Sequence, residues 1–308
     1  MPYEPMNAGI ESIICDVPGS TAHRYGTTDS AGNTMDTVKI IDSPAGGYLG
    51  VSHTGDTVHL AASDDLLTWT FVRTLDAEAT QPTIAALPTG GFVTAVEHND
   101  QRGSGGRLRL RHYRDLAALR SGTFDRERTQ PRILSRCNEG TPNVRSISLR
   151  PDIDHSIIEL GFHYQLRCDL DRQAGGVLAD FARWTATADT GLDDRITAAA
   201  AAHGRAVRGN IGGRDVIVVD GNACTLYEVQ YRKNSFGSWR VYLHDGRTGA
   251  IDLLPIRTHR GTTAFANPTV SSITSPAGRP AVVITLFLPF EGAAPGEAGQ
   301  LIYYRERS

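Results

Sequence analysis

The chain has 308 residues, 31 Lys plus Arg against 34 Asp plus Glu for a net charge of −3, 40% hydrophobic and 21% charged residues, 32 glycines and 15 prolines. A near-neutral balance without a basic block argues against nucleic acid or an anionic membrane surface as a partner, and the apolar content with dispersed Gly and Pro excludes disorder and collagen-like structure. At about 150 residues per domain the length allows two domains, but one large all-β domain spanning 1–308 also fits.

The first segment, MPYEPMNAGIESIICDVPG, carries acidic residues and prolines where a leader would show basic residues and an apolar stretch. As it stands the chain reads as cytoplasmic; a secreted protein whose leader has been removed would read the same. From Asp36 onward the chain falls into pairs of short apolar strands joined by Gly- or Pro-rich turns: TVKIIDSPAGGYLGVSH, PTIAALPTGGFVTAVEH, NVRSISLRPDIDHSIIELGFHY, NIGGRDVIVVDG and PTVSSITSPAGRPAVVITLFLP. Alternation and β-branching bounded by turn residues are the hairpin signal. A third strand follows in most units, over residues 57–62, 107–113, 176–181, 239–244 and 300–304. The last apolar run, Pro280 to Phe290, is too short to span a bilayer, for which about 18 residues are needed, and reads as a buried strand.

The openings repeat: Gln81-Pro82-Thr83-Ile84, Thr141-Pro142-Asn143-Val144 and Asn267-Pro268-Thr269-Val270, with Asp36-Thr37-Val38 and Gly209-Asn210-Ile211 as weaker versions. A repeat of this length, roughly 60 residues, suits a radial array of small antiparallel sheets. A second pattern, D-[LF]-x-x-[WL], recurs at Asp65 to Trp69, Asp115 to Leu119 and Asp180 to Trp184. Its Asp can bond the turn backbone while the Leu and Trp pack between sheets. Helix is expected only around the alanines at 198–202 and over 115–120. Cys15, Cys137, Cys168 and Cys224 are far apart with no C-x-x-C pair, so they signal neither a zinc site nor a disulfide framework and read as buried or incidental thiols.

These residues give the chain a resemblance to the five-bladed β-propeller glycosidases of the arabinanase, xylosidase and invertase type. The family's S-x-D-L-x-x-W motif is matched by Ser63, Asp65, Leu66 and Trp69. Its Asp at the start of the first inner strand corresponds to Asp36, and its E-G-P segment to Glu139-Gly140-Thr141-Pro142, with one residue inserted. The blade pattern covers most of the chain and the catalytic match two short motifs; no segment matches the family's third Asp. The resemblance implies an all-β, five-bladed propeller with Asp36 and Glu139 as its carboxyl pair.

In a propeller blade the starts of inner strands and the ends of second strands meet around the axis. Asp36, Gln81, Glu139, Asn210 and Asn267 belong to the first set; His53, Glu97 with His98, His163 with Tyr164, and Asp220 to the second. Such polar groups would ring the channel mouth. Glycoside hydrolysis needs one protonated and one ionised carboxyl across the bond, so Glu139 is the expected proton donor and Asp36 the base or nucleophile, unless both merely cap backbone donors. His53, Gln81, His98, His163, Tyr164, Asn210 and Asn267 would hold sugar hydroxyls. No cofactor is required, and no metal site is assigned; a divalent cation on the axis, held by the imidazoles, is the second alternative. Asp171-Arg172-Gln173 reads either as a recognition loop, with Arg172 on the substrate, or as an exposed loop with an internal ion pair. Gln101 to Gly106 reads as a mobile rim; its glycines precede no helix and do not form a phosphate loop. No G-x-S-x-G, Walker motif or Cys-His pairing supports covalent Ser or Cys catalysis. The leading expectation is a glycoside hydrolase-like enzyme with a small-molecule or carbohydrate substrate. Its rivals are a small-molecule or glycan-binding propeller, and a lyase, isomerase or cyclase on the same scaffold.

Overall fold

The computed structural model describes residues 8–99 and 105–307. A short helix α1 (Ala8–Cys15) leads into strand β1 (Ala22–Arg24). Four sheets of four strands follow in chain order: β2 (Asp36–Asp42), β3 (Tyr48–Thr54), β4 (Thr57–Ser63) and β5 (Thr70–Ala77); then β6 (Ala79–Ala86), β7 (Phe92–Asn99), β8 (Gly106–Tyr113) and β9 (Arg126–Thr129), with α2 (Leu116–Ser121) between the last two; then β10 (Glu139–Leu149), β11 (Ser156–Leu166), β12 (Leu170–Ala179) and β13 (Arg183–Ala188). After α3 (Thr190–Ala202) come β14 (Ile211–Val219), β15 (Asn222–Gln230), β16 (Trp239–Asp245) and β17 (Ile251–Leu253). The fifth sheet takes β18 (Ala266–Thr274), β19 (Pro280–Leu288) and β20 (Gly299–Glu306) and completes itself with β1, which pairs antiparallel to β20 with Ala22 opposite Tyr304. The result is the expected five-bladed β-propeller.

The core is divided among the blade interfaces. Val38, Ile40 and Trp69 of blade 1 pack with Val283 and Ile302 of blade 5. Leu49, Leu60, Ile84 and Phe92 join blades 1 and 2, and Val93, Leu108, Leu160 and Phe162 join blades 2 and 3. Helices thicken the remaining two seams. Leu192 and Ile196 of α3 pack on Ile211 and Tyr227 of blade 4, and Ile10 and Ile14 of α1 pack among residues of blades 4 and 5. The Asp-Leu-x-x-Trp motif acts as the sequence suggests. Asp65 Oδ1 accepts the Leu67 and Thr68 N–H groups at 2.8 and 2.6 Å, and buried Trp69 lies where a Cβ on Gly50 would come within 2.9 Å of its ring. Asp115 caps α2 by accepting the Ala118 N–H at 2.7 Å.

Four expectations are corrected. GGRDVIVVD is one inner strand rather than a hairpin, so Asp220 sits at the turn into β15 and pairs with Arg307. Asp171-Arg172-Gln173 lies within β12, not in a loop. Helix α1 lies outside the two stretches expected to be helical, whereas the alanine run is helical as expected, at the end of α3, which starts at Thr190 where Asp189 accepts the Leu192 N–H. Cys137 and Cys168 form a disulfide with Cα atoms 5.4 Å apart, tying the approach to β10 to the β11–β12 turn, while Cys15 and Cys224 are buried free thiols.

One ion pair crosses the axis. Lys39 Nζ of blade 1 lies 2.5 Å from Asp215 Oδ2 of blade 4, and both groups also bond Val270 of blade 5, through its carbonyl and its N–H. Both side chains are nearly buried, so removing one partner strands a charge whereas replacing both does not. Asp215→Ala is expected to cost about 3–5 kcal/mol, and Lys39→Met/Asp215→Leu markedly less, as read from urea unfolding midpoints.

Candidate functional site

Each inner strand carries the same irregularity. Pairing with the second strand skips two residues, between Asp36 and Lys39, Thr80 and Thr83, Gly140 and Asn143, Ile211 and Arg214, and Ala266 and Thr269. These are β-bulges, which re-aim side chains at a sheet end. The first skipped residue has a left-handed backbone in four blades: Thr37 (φ 52°), Gln81 (51°), Thr141 (47°) and Asn267 (47°). In the same frame the residues opposite the bulge entry are His53, Glu97, His163, Val229 and Phe287.

A pocket of about 390 Å³ opens at this end of the channel. Its carboxylates are Asp36, Glu97, Asp171 and Glu228; its other polar groups include Gln81, Asn138, His163 and Asn267; Phe236, Trp239 and Phe287 form an aromatic side. Asn267 joins two of the acids. Its side-chain amide donates to Asp36 Oδ1 at 3.0 Å and its backbone N–H donates to Glu228 Oε2 at 2.6 Å. Glu228 Oε1 also accepts the Gly213 N–H at 2.7 Å, and burial pushes this carboxyl above the usual carboxylate range, against the opposing pull of those two N–H bonds. Asn138 performs a similar service opposite, donating to Glu97 Oε1 at 3.0 Å and lying 3.3 Å from His163 Nε2. His163 Nε2 is 3.7 Å from Asp171 Oδ1. Glycines make room for the acids: a Cβ on Gly140 would fall 1.8 Å from Glu97 Oε2, and one on Gly212 2.5 Å from Glu228 Oε1.

Of the residues expected at the mouth, Asp36, Gln81, Glu97, His163 and Asn267 line the pocket, as does Asp171 of the Asp171-Arg172-Gln173 segment. His53 stands behind it, its Nε2 3.8 Å from Asp36 Oδ2 and its Nδ1 on the Gly55 carbonyl. The structure does not bring the others there. Glu139 pairs with Tyr164, one position before the bulge entry, so it faces away from the axis; it is 1% exposed, and its Oε1 accepts the N–H groups of Ile133, Leu134 and Ser135 at 2.7, 2.5 and 3.1 Å. Tyr164 is buried in the seam between blades 2 and 3, and burial raises its hydroxyl. Asn210 likewise precedes its bulge entry and accepts the Asp171 N–H at 3.1 Å. His98 is one residue past the equivalent of His53 and His163, a place Glu97 holds; it sits on the Glu78 carbonyl, and burial and then Arg109 lower its pKa. The ring of three imidazoles therefore reduces to His53 and His163. Arg172 donates to the carbonyls of Asp171 and Gly209 at 2.7 and 3.0 Å and spans blades 3 and 4. Most of the rim expected at Gln101 to Gly106 lies outside the described residues.

Sequence reasoning placed Glu97 at the mouth and Asp171 in a segment that could reach it without giving either a chemical role, and passed over Asn138 and Glu228. The available signal was glycine: Gly140 and Gly212-Gly213 occupy bulge positions where other blades carry side chains, which leaves space for acids from second strands. Among the described residues no group of three or more His, Cys, Asp or Glu is arranged to hold a metal ion, and no helix is long and apolar enough to cross a membrane.

No protein-family model matches the chain and no curated protein does. Solved structures do. An exo-1,5-α-L-arabinanase from a bovine ruminal metagenomic library superposes with a TM-score of 0.58 at 13% identity, over 92% of this chain and 96% of that one. An α-L-arabinanase of Cellvibrio cellulosa, solved with arabinohexaose, gives 0.55 at 11% identity over 87% and 91%. An N-acetylgalactosamine deacetylase from F. plautii, solved with blood group B trisaccharide, gives 0.59 at 11% identity over 94% and 95%. At such identities the likeness is one of fold, and that fold is the five-bladed propeller.

The placement of Glu139 makes a separable forecast. Glu139→Ala leaves three buried N–H groups unpaired and is expected to cost on the order of 2–4 kcal/mol in denaturant unfolding, with ligand binding at the axial pocket unchanged in the folded fraction. Loss of that binding without loss of stability would return Glu139 to the site.

Proposed function

We propose that the chain is a glycoside hydrolase-like enzyme acting on a small sugar or glycoside in the axial pocket, with Glu228 as proton donor and Asp36 as base or nucleophile. The observation that carries this reading is the bridge through Asn267, which holds carboxyl groups from blades 1 and 4 on one pocket. Two carboxyls flanking a glycosidic bond are the minimum the chemistry needs, one protonated toward the leaving oxygen and one acting at the anomeric carbon directly or through water. Burial favours the protonated form of Glu228, as a donor requires. Asp36 is more open, 21% exposed at its side chain, and accepts from Asn267 Nδ2 and, at 3.3 Å, from Thr37 Oγ1.

Gln81, Asn138, His163 and Asn267 offer both donors and acceptors to sugar hydroxyls, while Trp239 and its aromatic neighbours offer apolar faces to a sugar ring. The carbohydrates solved with the arabinanase and the deacetylase support a saccharide ligand. No cofactor enters this scheme. Of the two cellular settings, the Cys137–Cys168 bond favours the secreted one, because disulfides persist in oxidising compartments.

One observation favours the rival reading of a glycan-binding propeller without turnover: both oxygens of Glu228 already accept backbone N–H groups, as structural carboxylates do. Aryl arabinofuranosides, xylosides, fructosides and galactosides, assayed with and without chelator, separate the two. Glu228→Gln is expected to lower turnover about 10²–10⁴-fold on substrates with poor leaving groups, with far less effect on a dinitrophenyl glycoside. Asp36→Asn is expected to abolish turnover on both kinds of substrate. For the wild type, kcat/KM should fall as pH rises through the raised pKa of Glu228, because the donor must be protonated, and Glu228→Gln should remove that alkaline limb. Silence across the panel with retained saccharide binding would establish the binding module instead, and turnover abolished by chelator would install a divalent cation on the axis.

A further inference from the structure

A second pocket, of about 440 Å³, lies on the flank of blade 4 and is lined by Arg205, Arg208, Arg232 and Arg240 around Tyr231. None of these four arginines is in an ion pair with a carboxylate among the described residues. Arg109, Arg111, Arg126, Arg305 and Arg307 are, each with an Asp. The carboxylates nearby are otherwise engaged: Glu291 accepts the Gly237 N–H at 2.9 Å, Asp169 pairs with Lys233, and Asp252 pairs with His203. Burial, and to a lesser degree the charge of Arg205, depresses the pKa of Arg240.

The pocket is also built rather than merely populated. Tyr231 is buried, and its hydroxyl is fixed 2.8 Å from that of buried Tyr242. The guanidiniums of Arg205 and Arg240 each lie 5.8 Å from the Tyr231 ring centre. Arg240 is held by the carbonyls of Gly237 and Trp239 at 3.0 and 2.8 Å. Arg205, Arg208 and Arg232 are exposed, with donors available to a ligand. The wall is shared with the axial pocket: Phe236 and Trp239 line one side, and Gly237, Ser238 and Arg240 line the other.

We propose that this arginine pocket is a subsite for the anionic group of an acidic saccharide, a carboxylate or a sulfate, whose neighbouring sugar enters the axial pocket. The assignment of the neighbouring sugar rests on the carbohydrate reading above; the anion site itself does not. Guanidinium forks match the planar carboxylate and the tetrahedral sulfate alike, and four of them with no counter-charge discriminate strongly against a neutral chain.

The test is calorimetric titration of the intact protein with trigalacturonate, with its methyl ester and with a sulfated galactose trisaccharide, at low salt and at about 0.15 M, where exposed charges are screened beyond about 8 Å. The expected result is binding of one anionic trisaccharide at least about tenfold tighter than the ester, weakened by salt. Arg205→Ala/Arg208→Ala should remove that preference while leaving ester binding and the unfolding midpoint unchanged. Preference for trigalacturonate identifies a carboxylate site and preference for the sulfated sugar a sulfate site. Equal affinity for acid and ester, no binding of either anion, or a preference that survives the double substitution overturns the proposal. The glycoside panel on the wild type keeps the two readings apart: anion preference that Asp36→Asn retains, in a protein whose wild type is silent across that panel, would leave the subsite standing and the hydrolase reading fallen.

Discussion

The mouth of the channel depends on a register constraint repeated five times. A regular strand would send alternate residues to opposite faces without interruption, and a ring of such strands would present whatever its alternation dictated. The two-residue skip at each inner-strand entry breaks the alternation and turns a side chain toward the axis. Thr37, Gln81, Thr141 and Asn267 accept a left-handed backbone to do so, a conformation that costs on the order of 1–3 kcal/mol per residue. The proline that follows in blades 2, 3 and 5 suits this position, since it has no N–H to lose from the ladder.

The same constraint explains what could be read in the sequence and what could not. Strand pairs, their turns and the five-fold repeat were legible because alternation and turn chemistry are local. So was the Asp-Leu-x-x-Trp packing motif, whose hydrogen bonds span only a few residues. The bulge is a matter of pairing between strands, and the polar-residue-plus-proline openings locate it only to within one residue. That single residue separates Gly140, which faces the axis, from Glu139, which caps three backbone groups behind it. It likewise separates Glu97 from His98 and Ile211 from Asn210. Blade 4 was hardest, because its inner strand, IGGRDVIVV, reads as a hairpin through its glycines and so hides the second strand that carries Glu228. The N-terminal strand and the disulfide were invisible for a related reason: each joins segments whose proximity exists only once the ring is formed.

Charge is distributed in a way the net value of −3 conceals. Carboxylates gather at the mouth, and Asp36, Glu97 and Glu228 are each held by donors from a neighbouring blade, so that no one blade owns the pocket alone. Asn267 of blade 5 serves Asp36 of blade 1 and Glu228 of blade 4, and Thr141 of blade 3 donates its N–H to Glu97 of blade 2 at 3.0 Å. Below them the Lys39–Asp215 pair ties blades 1, 4 and 5 through the axis. Four arginines with no carboxylate partner among the described residues gather beside Tyr231 on blade 4.

The pairing of β1 with β20 has a consequence for the life of the chain before it is a finished molecule. Blade 5 has no fourth strand until residues 302–304 have left the ribosome, and Asp36 has no Asn267 until blade 5 docks on blade 1. Contacts at such sequence separation form late. Until β20 is made, Ala22–Arg24 has no strand edge to pair with. Closure of blade 5 and the bridge from Asn267 to Asp36 therefore both wait on that blade, and a chain that stops short of β20 lacks the strand with which Ala22–Arg24 pairs.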